Sequence, residues 1–238
     1  MRIPIVILAL VTFTHAIHCR NVNAAIFVPP GLTPGDQYHL VFVSSTPTTA
    51  NFGGIAGGDL FVQTLADAAG IGVTQGVTWQ AILSDSAIDA ISRFNPTAPI
   101  YNMNGDRVAV NGTALWNTAT TSLEHPIAFD QNSGGSISIP VEIWTGTLDN
   151  GMLGTADSDW LAASANTFAT AGSSVLVTTG WISGGGSPAE DVPLSLFAAS
   201  DLLVVPAVPL PASAWMGLAL FGGVGATRIF RRICTARP

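Results

Sequence analysis

The chain has 238 residues, of which 48% are hydrophobic and only 10% charged, and its formal charge is −7. It contains no lysine. Residues 25–207 hold just two arginines, Arg93 and Arg107, against all fifteen carboxylates, a formal charge of −13. That balance excludes a nucleic-acid partner, because such binding rests on Lys and Arg neutralising phosphate.

The N-terminus reads as a secretory signal peptide over residues 1–24. Arg2 is a minimal positive region and Ile3 to Phe13 an apolar stretch too short for a comfortable membrane span. Val22-Asn23-Ala24 places small residues at −3 and −1, so cleavage is expected after Ala24, with Thr14-His15-Ala16 the second site; an uncleaved anchor is the alternative. Cys19 follows His18, where a lipoprotein site needs a small residue. Residues 25–207, about 183, suit one domain with a core of its own. Cys19 and Cys234 both lie outside them, so an internal disulfide and thiolate chemistry are excluded there.

Tyr38 to Ser44 is apolar and β-rich, the mark of a buried strand. Residues 46–58 read as a loop ending in Gly53-Gly54 and Gly57-Gly58. Asp59 to Ala69 then reads as a helix, with Phe61, Leu65 and Ala68 or Ala69 recurring on one face, Asp59 in its first turn and Gly70 as its stop. Trp79 to Leu83 is a strand candidate. Ser86 to Asp89 has the spacing of a capping box and opens a short helix through Phe94, ended by Pro96 and Pro99. Ile100-Tyr101 and Arg107 to Val110 flank Asn104-Gly105, a hairpin dipeptide. Val141 to Trp144, Ser174 to Thr178, Leu194 to Phe197 and Leu202 to Val205 are further strands, and Gly184-Gly185-Gly186 a flexible loop. Two early helices and many later strands make the fold class α+β.

The tail has three parts in order. Val208-Pro209-Leu210-Pro211-Ala212 is followed by an uncharged run from Ser213 to Thr227 and then by Arg228, Arg231 and Arg232. A transmembrane helix at about 212–230 is expected, short but workable with Arg228 snorkelling, Trp215 at the outer interface and the arginines as a cytoplasmic stop. This order resembles the PEP-CTERM sorting signals of Gram-negative bacteria, in the VPLPA variant. The resemblance implies an exosortase as partner, cleavage near the motif, and export by a cell that makes exopolysaccharide. A plain C-terminal anchor is the alternative.

Residues 25–207 carry a second resemblance. Phe52-Gly53-Gly54-Ile55-Ala56-Gly57-Gly58-Asp59 is followed by a helix ending in Ala68-Ala69-Gly70. Then come Trp79 to Ser86 (WQAILSDS), Pro99 to Asn102 with Gly105, Trp144-Thr145-Gly146, Asp149-Asn150-Gly151, Trp160 and Gly180-Trp181. From Leu40 to Phe197 this order resembles the bacterial endostatin-like domains, a branch of the C-type lectin fold. There a GGLAGAD loop opens the first helix, W-x-A-x-L-S-D-S leads to the second, and W-T-G marks a core strand. The cysteines usual in that family are replaced here at Val62 or Gln63, at Asp157 and near Leu194. A β-sandwich of short strands is the alternative fold.

Chemistry is sparse. No Gly-x-Ser-x-Gly elbow, zinc helix or phosphate loop occurs. His39 sits in an apolar strand and is expected to be structural. Glu124 and His125 are adjacent, so in a strand they face apart. Asp149, Asp157 and Asp159 lie in one turn-rich stretch and are the candidate ligands for calcium, with turn capping as the competing use. Trp144 and Trp181 fall at core positions in the resemblance. Trp116, in the loop-like stretch 111–121, is the tryptophan expected to be exposed and able to stack on a sugar ring. The expected role is a non-catalytic cell-surface or matrix protein, with no obligatory cofactor and exopolysaccharide as a further partner. A calcium-dependent carbohydrate-binding module and a glycan-active hydrolase are its rivals.

Overall fold

Tyr38 to Val43 is buried at every position, and it becomes the strand beside which the rest of the sheet is laid. In the computed structural model, which describes residues 27–117, 123–132, 141–154, 159–161, 164 and 166–207, the elements run as follows. Strand β1 (Gln37–Val43) leads to helix α1 (Gly54–Ala68), a 3₁₀ turn (Val73–Gln75) and β2 (Trp79–Ala81). Helix α2 (Ala90–Arg93), β3 (Ile100–Asn102), β4 (Arg107–Ala109) and α3 (Gly112–Leu115) follow. Then come β5 (Glu142–Trp144), β6 (Ala171–Ser173), α4 (Gly180–Ser183), β7 (Ser195–Ser200) and β8 (Leu203–Val204). The fold mixes α and β, with few helices and one curled sheet. The described strands form that single eight-stranded sheet rather than two packed face to face.

The strand order is β4-β3-β1-β7-β5-β6. β7 is buried throughout and is flanked on one edge by β1, antiparallel, with Val41 opposite Ala199. Its other edge forks. β5 runs parallel beside Ser195 and Leu196, while β2 runs antiparallel beside Ala198 to Ser200. β8 continues the course of β7 along β1. Between the pairs Val41–Ala199 and Tyr38–Leu203, two residues of β1 face three of the partner, so an extra residue bulges at Asp201–Leu202. The hairpin β3–β4 closes at Asn104-Gly105, with Gly105 at φ +90° and the Asn102 side chain accepting from the N–H groups of Asn104 and Asp106.

Alternation along β1 and β7 divides the core between the two faces. Tyr38, Leu40, Phe42, Leu196 and Ala198 join Trp79, Trp144 and Trp160 on one face, against α1. Val41, Val43, Phe197 and Ala199 join Ile82, Ile143, Trp116 and Trp181 on the other. Both faces being covered, these strands read as continuous apolar runs.

The first helix begins earlier than its periodicity suggests. Gly53 and Gly54, at φ +91° and +77°, turn both their N–H groups onto the carbonyl of Trp160, and α1 starts there. Asp59 therefore lies in the body of the helix. The buried stripe is Gly58, Val62 and Ala66, while Phe61 and Leu65, expected in the core, are only partly covered. Gly58 is small because a Cβ there would lie 2.8 Å from Leu83 Cδ1 on the chain leaving β2.

Asp59 and Gln63 instead serve the outer edge of β2. The Trp79 N–H donates to Gln63 Oε1 (2.7 Å) and the Ala81 N–H to Asp59 Oδ1 (2.8 Å). Arg93 grips Asp59 through Nη2 (2.7 Å to each oxygen) and donates from Nη1 to the Ala81 carbonyl (2.8 Å). The side chains are 11% and 33% exposed, so the pair is shielded from water far more than an ordinary surface ion pair.

Three expectations are corrected. The second helix spans Ala90–Arg93, not Ser86 to Phe94, because Asp85 Oδ1 accepts from the N–H groups of Ala87 and Ile88 and holds a turn there. Ser84 Oγ, not Ser86, then receives the Ala90 N–H. No strand forms at Ser174 to Thr178. The strand is Ala171–Ser173, fixed by Gly172, where a Cβ would collide with the Trp181 carbonyl. The triple glycine is not a free loop either: Gly185 N donates to Ala171 O and Gly186 O accepts from Ala171 N, covering the edge of β6.

Among the described residues no helix is long and apolar enough to cross a membrane. The expected signal peptide, the Val208 to Ala212 motif, the helix at about 212–230 and Arg228, Arg231 and Arg232 lie outside the described residues.

Replacing Asp59 by Ala leaves Arg93 and the Ala81 N–H without their acceptor. The expected loss is about 2–3 kcal/mol of unfolding free energy in urea titration, since hydrogen bonds to charged groups are stronger than neutral ones. A loss well under 1 kcal/mol would mean that water replaces the clamp.

Candidate functional site

The acidic stretch proposed for calcium does not assemble among the described residues. Asp149 is half-buried in a turn closed by Gly151 N donating to Leu148 O, with Asn150 Oδ1 accepting from Met152 N. It lines a crevice with Asn117, Leu123 and Trp181 of about 10 Å³, room for one water. Asp159 lies beside α1, accepting from the Ser86 hydroxyl at 2.7 Å. The two carboxylates thus have separate neighbours, and Asp157 lies outside the described residues. No group of three or more His, Cys, Asp or Glu that could hold a metal gathers among the described residues.

Trp116 is corrected as a stacking residue, for it is only 5% exposed. Its Nε1 donates to Phe94 O at 2.7 Å and its ring leans on Trp181, with centroids 5.6 Å apart. The end of α2 leaves that carbonyl without a helical partner, and the indole fills the need. Trp79, Trp144, Trp160 and Trp181 are buried as well, so none of the five presents a face to a sugar. Asn111, in a glycosylation sequon, caps α3 by accepting from Ala114 N at 2.8 Å.

The titratable pairs are modest. Glu124 meets Arg107 at 2.9 Å on the surface, and His125 beside it is exposed. His39 is buried, with Nδ1 3.0 Å from the Ser200 carbonyl, a contact that requires that nitrogen to carry the proton. Its ring meets Phe94 edge-on at 5.5 Å. Burial holds the His39 pKa below the usual imidazole value, opposed by the Ser200 carbonyl and by the charge of Asp201. Burial in turn pushes the Asp201 carboxyl up.

An opening lies along α1. A cleft of about 410 Å³ is lined by Thr48, Phe52, Gly57, Leu60, Phe61, Thr64 and Leu65, none of which ionises. That size is within the range of small-ligand sites. Its helical wall is the stripe next to Gly58, Val62 and Ala66. The helix is thus apolar over a wider arc than the sheet covers, and Leu60 is 68% exposed. The Thr64 hydroxyl is spent on Leu60 O and that of Thr48 on Thr49 O, so the cleft offers apolar contact first. Sequence periodicity marked Phe61 and Leu65 but assigned them to the core, because one-dimensional spacing does not say how much of an apolar arc the neighbour covers.

Compared with known proteins, the chain matches no protein-family model and no curated protein.

His39 predicts a pH effect with a definite sign. Its native pKa lies below the unfolded value of about 6.5, so the unfolded chain binds the extra proton first as pH falls. Stability should decline as pH drops below about 6.5, and His39→Gln should flatten that decline. Melting curves over this range check it; an equal slope in both proteins would assign the decline to other groups.

Proposed function

We propose that the chain is an exported protein of a bacterial envelope or extracellular matrix. In this reading it is sorted by an exosortase through Val208 to Ala212, stopped in the membrane by Arg228, Arg231 and Arg232, and carries an endostatin-like domain of C-type-lectin type. Its role is structural or recognition rather than catalysis, in an exopolysaccharide-rich setting.

The observation that carries this reading is that the short motifs bind one another. The N–H groups of Gly53 and Gly54 both donate to the Trp160 carbonyl, and the Trp160 indole donates to the Ser84 carbonyl of the WQAILSDS segment at 2.9 Å. The hydroxyls of Ser84 and Thr147 stand 2.9 Å apart, and Thr147 donates to the carbonyl of Thr145 in the Trp-Thr-Gly motif at 2.6 Å. Gly53, Gly54, Trp160, Ser84 and Thr145 of the resemblance are thereby committed to holding the scaffold. The family's first cysteine position falls at Val62, buried under the sheet, or at Gln63, which caps β2. The α1 cleft is the surface on which recognition would act.

Changing Pro209 and Pro211 together to Ala, in a host with an exosortase, should leave the C-terminal segment attached. The check is the intact mass of the mature protein. A mass altered only by the substitutions themselves would remove the sorting reading.

A further inference from the structure

The cleft along α1 is built from fixed parts. Phe52, Phe61, Leu60 and Leu65 give it apolar walls, and Phe52 is held by stacking on Trp160, with ring centroids 5.2 Å apart. A Cβ at Gly57 would collide with the Phe52 carbonyl, so the opposite wall lies directly on the helix and the cleft is preformed. At the roughly 30 Å³ that a water takes in the liquid, its volume of about 410 Å³ has room for on the order of a dozen atoms of that size.

Its two hydroxyls share one capability. Thr64 donates to Leu60 O (2.7 Å) and Thr48 to Thr49 O (3.1 Å), so each has used its proton and offers a ligand only lone pairs. The carboxylates of α1 are engaged elsewhere, Asp59 by Arg93 and Asp67 by the Gln63 amide and the Val73 N–H. An anion would meet no counter-charge in the lining, within a domain of charge −13, and a cation no carboxylate, so either would give up its hydration without a partner. A sugar carries more hydroxyls than two acceptors can satisfy.

We propose that the α1 cleft binds a small neutral amphiphile, an apolar chain or ring whose single hydroxyl or amide N–H donates to Thr48 or Thr64. This rests on the recognition reading above and supplies its ligand class. Access is open from the side away from both chain ends. Phe27 O accepts from the Tyr38 hydroxyl and Val205 O from Gly35 N, so the described chain begins and ends at the start of β1. Thr48 lies past the other end of that seven-residue strand, about 20 Å along, where it pairs with Leu194. A tether at either end of the domain therefore leaves the cleft free.

The test uses the full-length chain in lipid nanodiscs, with octanol bearing a diazirine as the probe. After irradiation, peptide mapping by mass spectrometry locates the attached label. Label should appear on residues 52–65, saturate with rising probe, and be displaced by plain octanol far better than by octanoate or octylammonium at neutral pH. Thr64→Trp, which fills the cleft from an exposed position, should abolish that label, and Leu60→Gln should weaken it, with melting curves close to wild type in both. Equal displacement by the charged analogues overturns the ligand class. Label on 52–65 that survives both substitutions overturns the site. Saturable label confined to another part of the domain also overturns the site, while leaving the recognition reading in place; no saturable label on the domain overturns the proposal outright. Should Thr64→Trp fail to fold, Leu60→Gln and the wild-type competition decide by themselves.

Discussion

A buried tryptophan brings the core its largest ring and one N–H that must find an acceptor. In this protein that requirement ties the connecting segments to the sheet. The indoles of Trp79, Trp116, Trp144 and Trp160 donate to the carbonyls of Ile71, Phe94, Thr48 and Ser84, at 2.7–2.9 Å. Each carbonyl belongs to a stretch between regular elements, and each ring sits in one of the two core clusters. Filling the core and fixing the loops are thus the same act. Where many small secreted domains use disulfides to hold long connections, this protein uses aromatic side chains anchored at both ends.

The Trp160 ring reaches a small polar centre that would be costly if incomplete. Ser84, Thr145 and Thr147 are fully buried. The Thr145 hydroxyl lies 2.7 Å from Ile182 O and 3.1 Å from Thr170 O, and Thr147 reaches Ser84. These bonds join the exits of β2 and β5 to the entry of α2 and to α4. They lie at the fork where β2 and β5 part on the edge of β7, where the ladder itself cannot supply every partner. Hydroxyls are the smallest groups that can do so without opening the core.

How much could be read from the sequence follows from what each feature depends on. β1, β7 and the β3–β4 hairpin were legible because apolar runs and an Asn-Gly turn are local properties. The start of α1 was not, since it depends on a distant acceptor, the Trp160 carbonyl. β6 was misplaced by β-propensity at Val175 to Val177, when its position is set by the approach of the α4 backbone to Gly172. Trp116 was read as exposed because it falls in a loop-like stretch, although its acceptor, just past the end of α2, is 22 residues away along the chain. The apolar cleft was invisible for a related reason: it is defined by what a neighbouring segment fails to cover.

The cap on β2 bears on how such a protein behaves among many copies of itself. Two helix residues four apart rise about 6 Å along their axis, close to the roughly 6.8 Å between alternate strand residues. Asp59 and Gln63 therefore match the outward N–H groups of Ala81 and Trp79 in step, as a neighbouring strand would. Strand edges are commonly guarded by lysine, which repels an incoming strand. A chain without lysine has no such guard to place. Here a helix imitates the missing strand with its side chains, so that crowded molecules find that rim of the sheet already occupied and cannot extend it into a fibre.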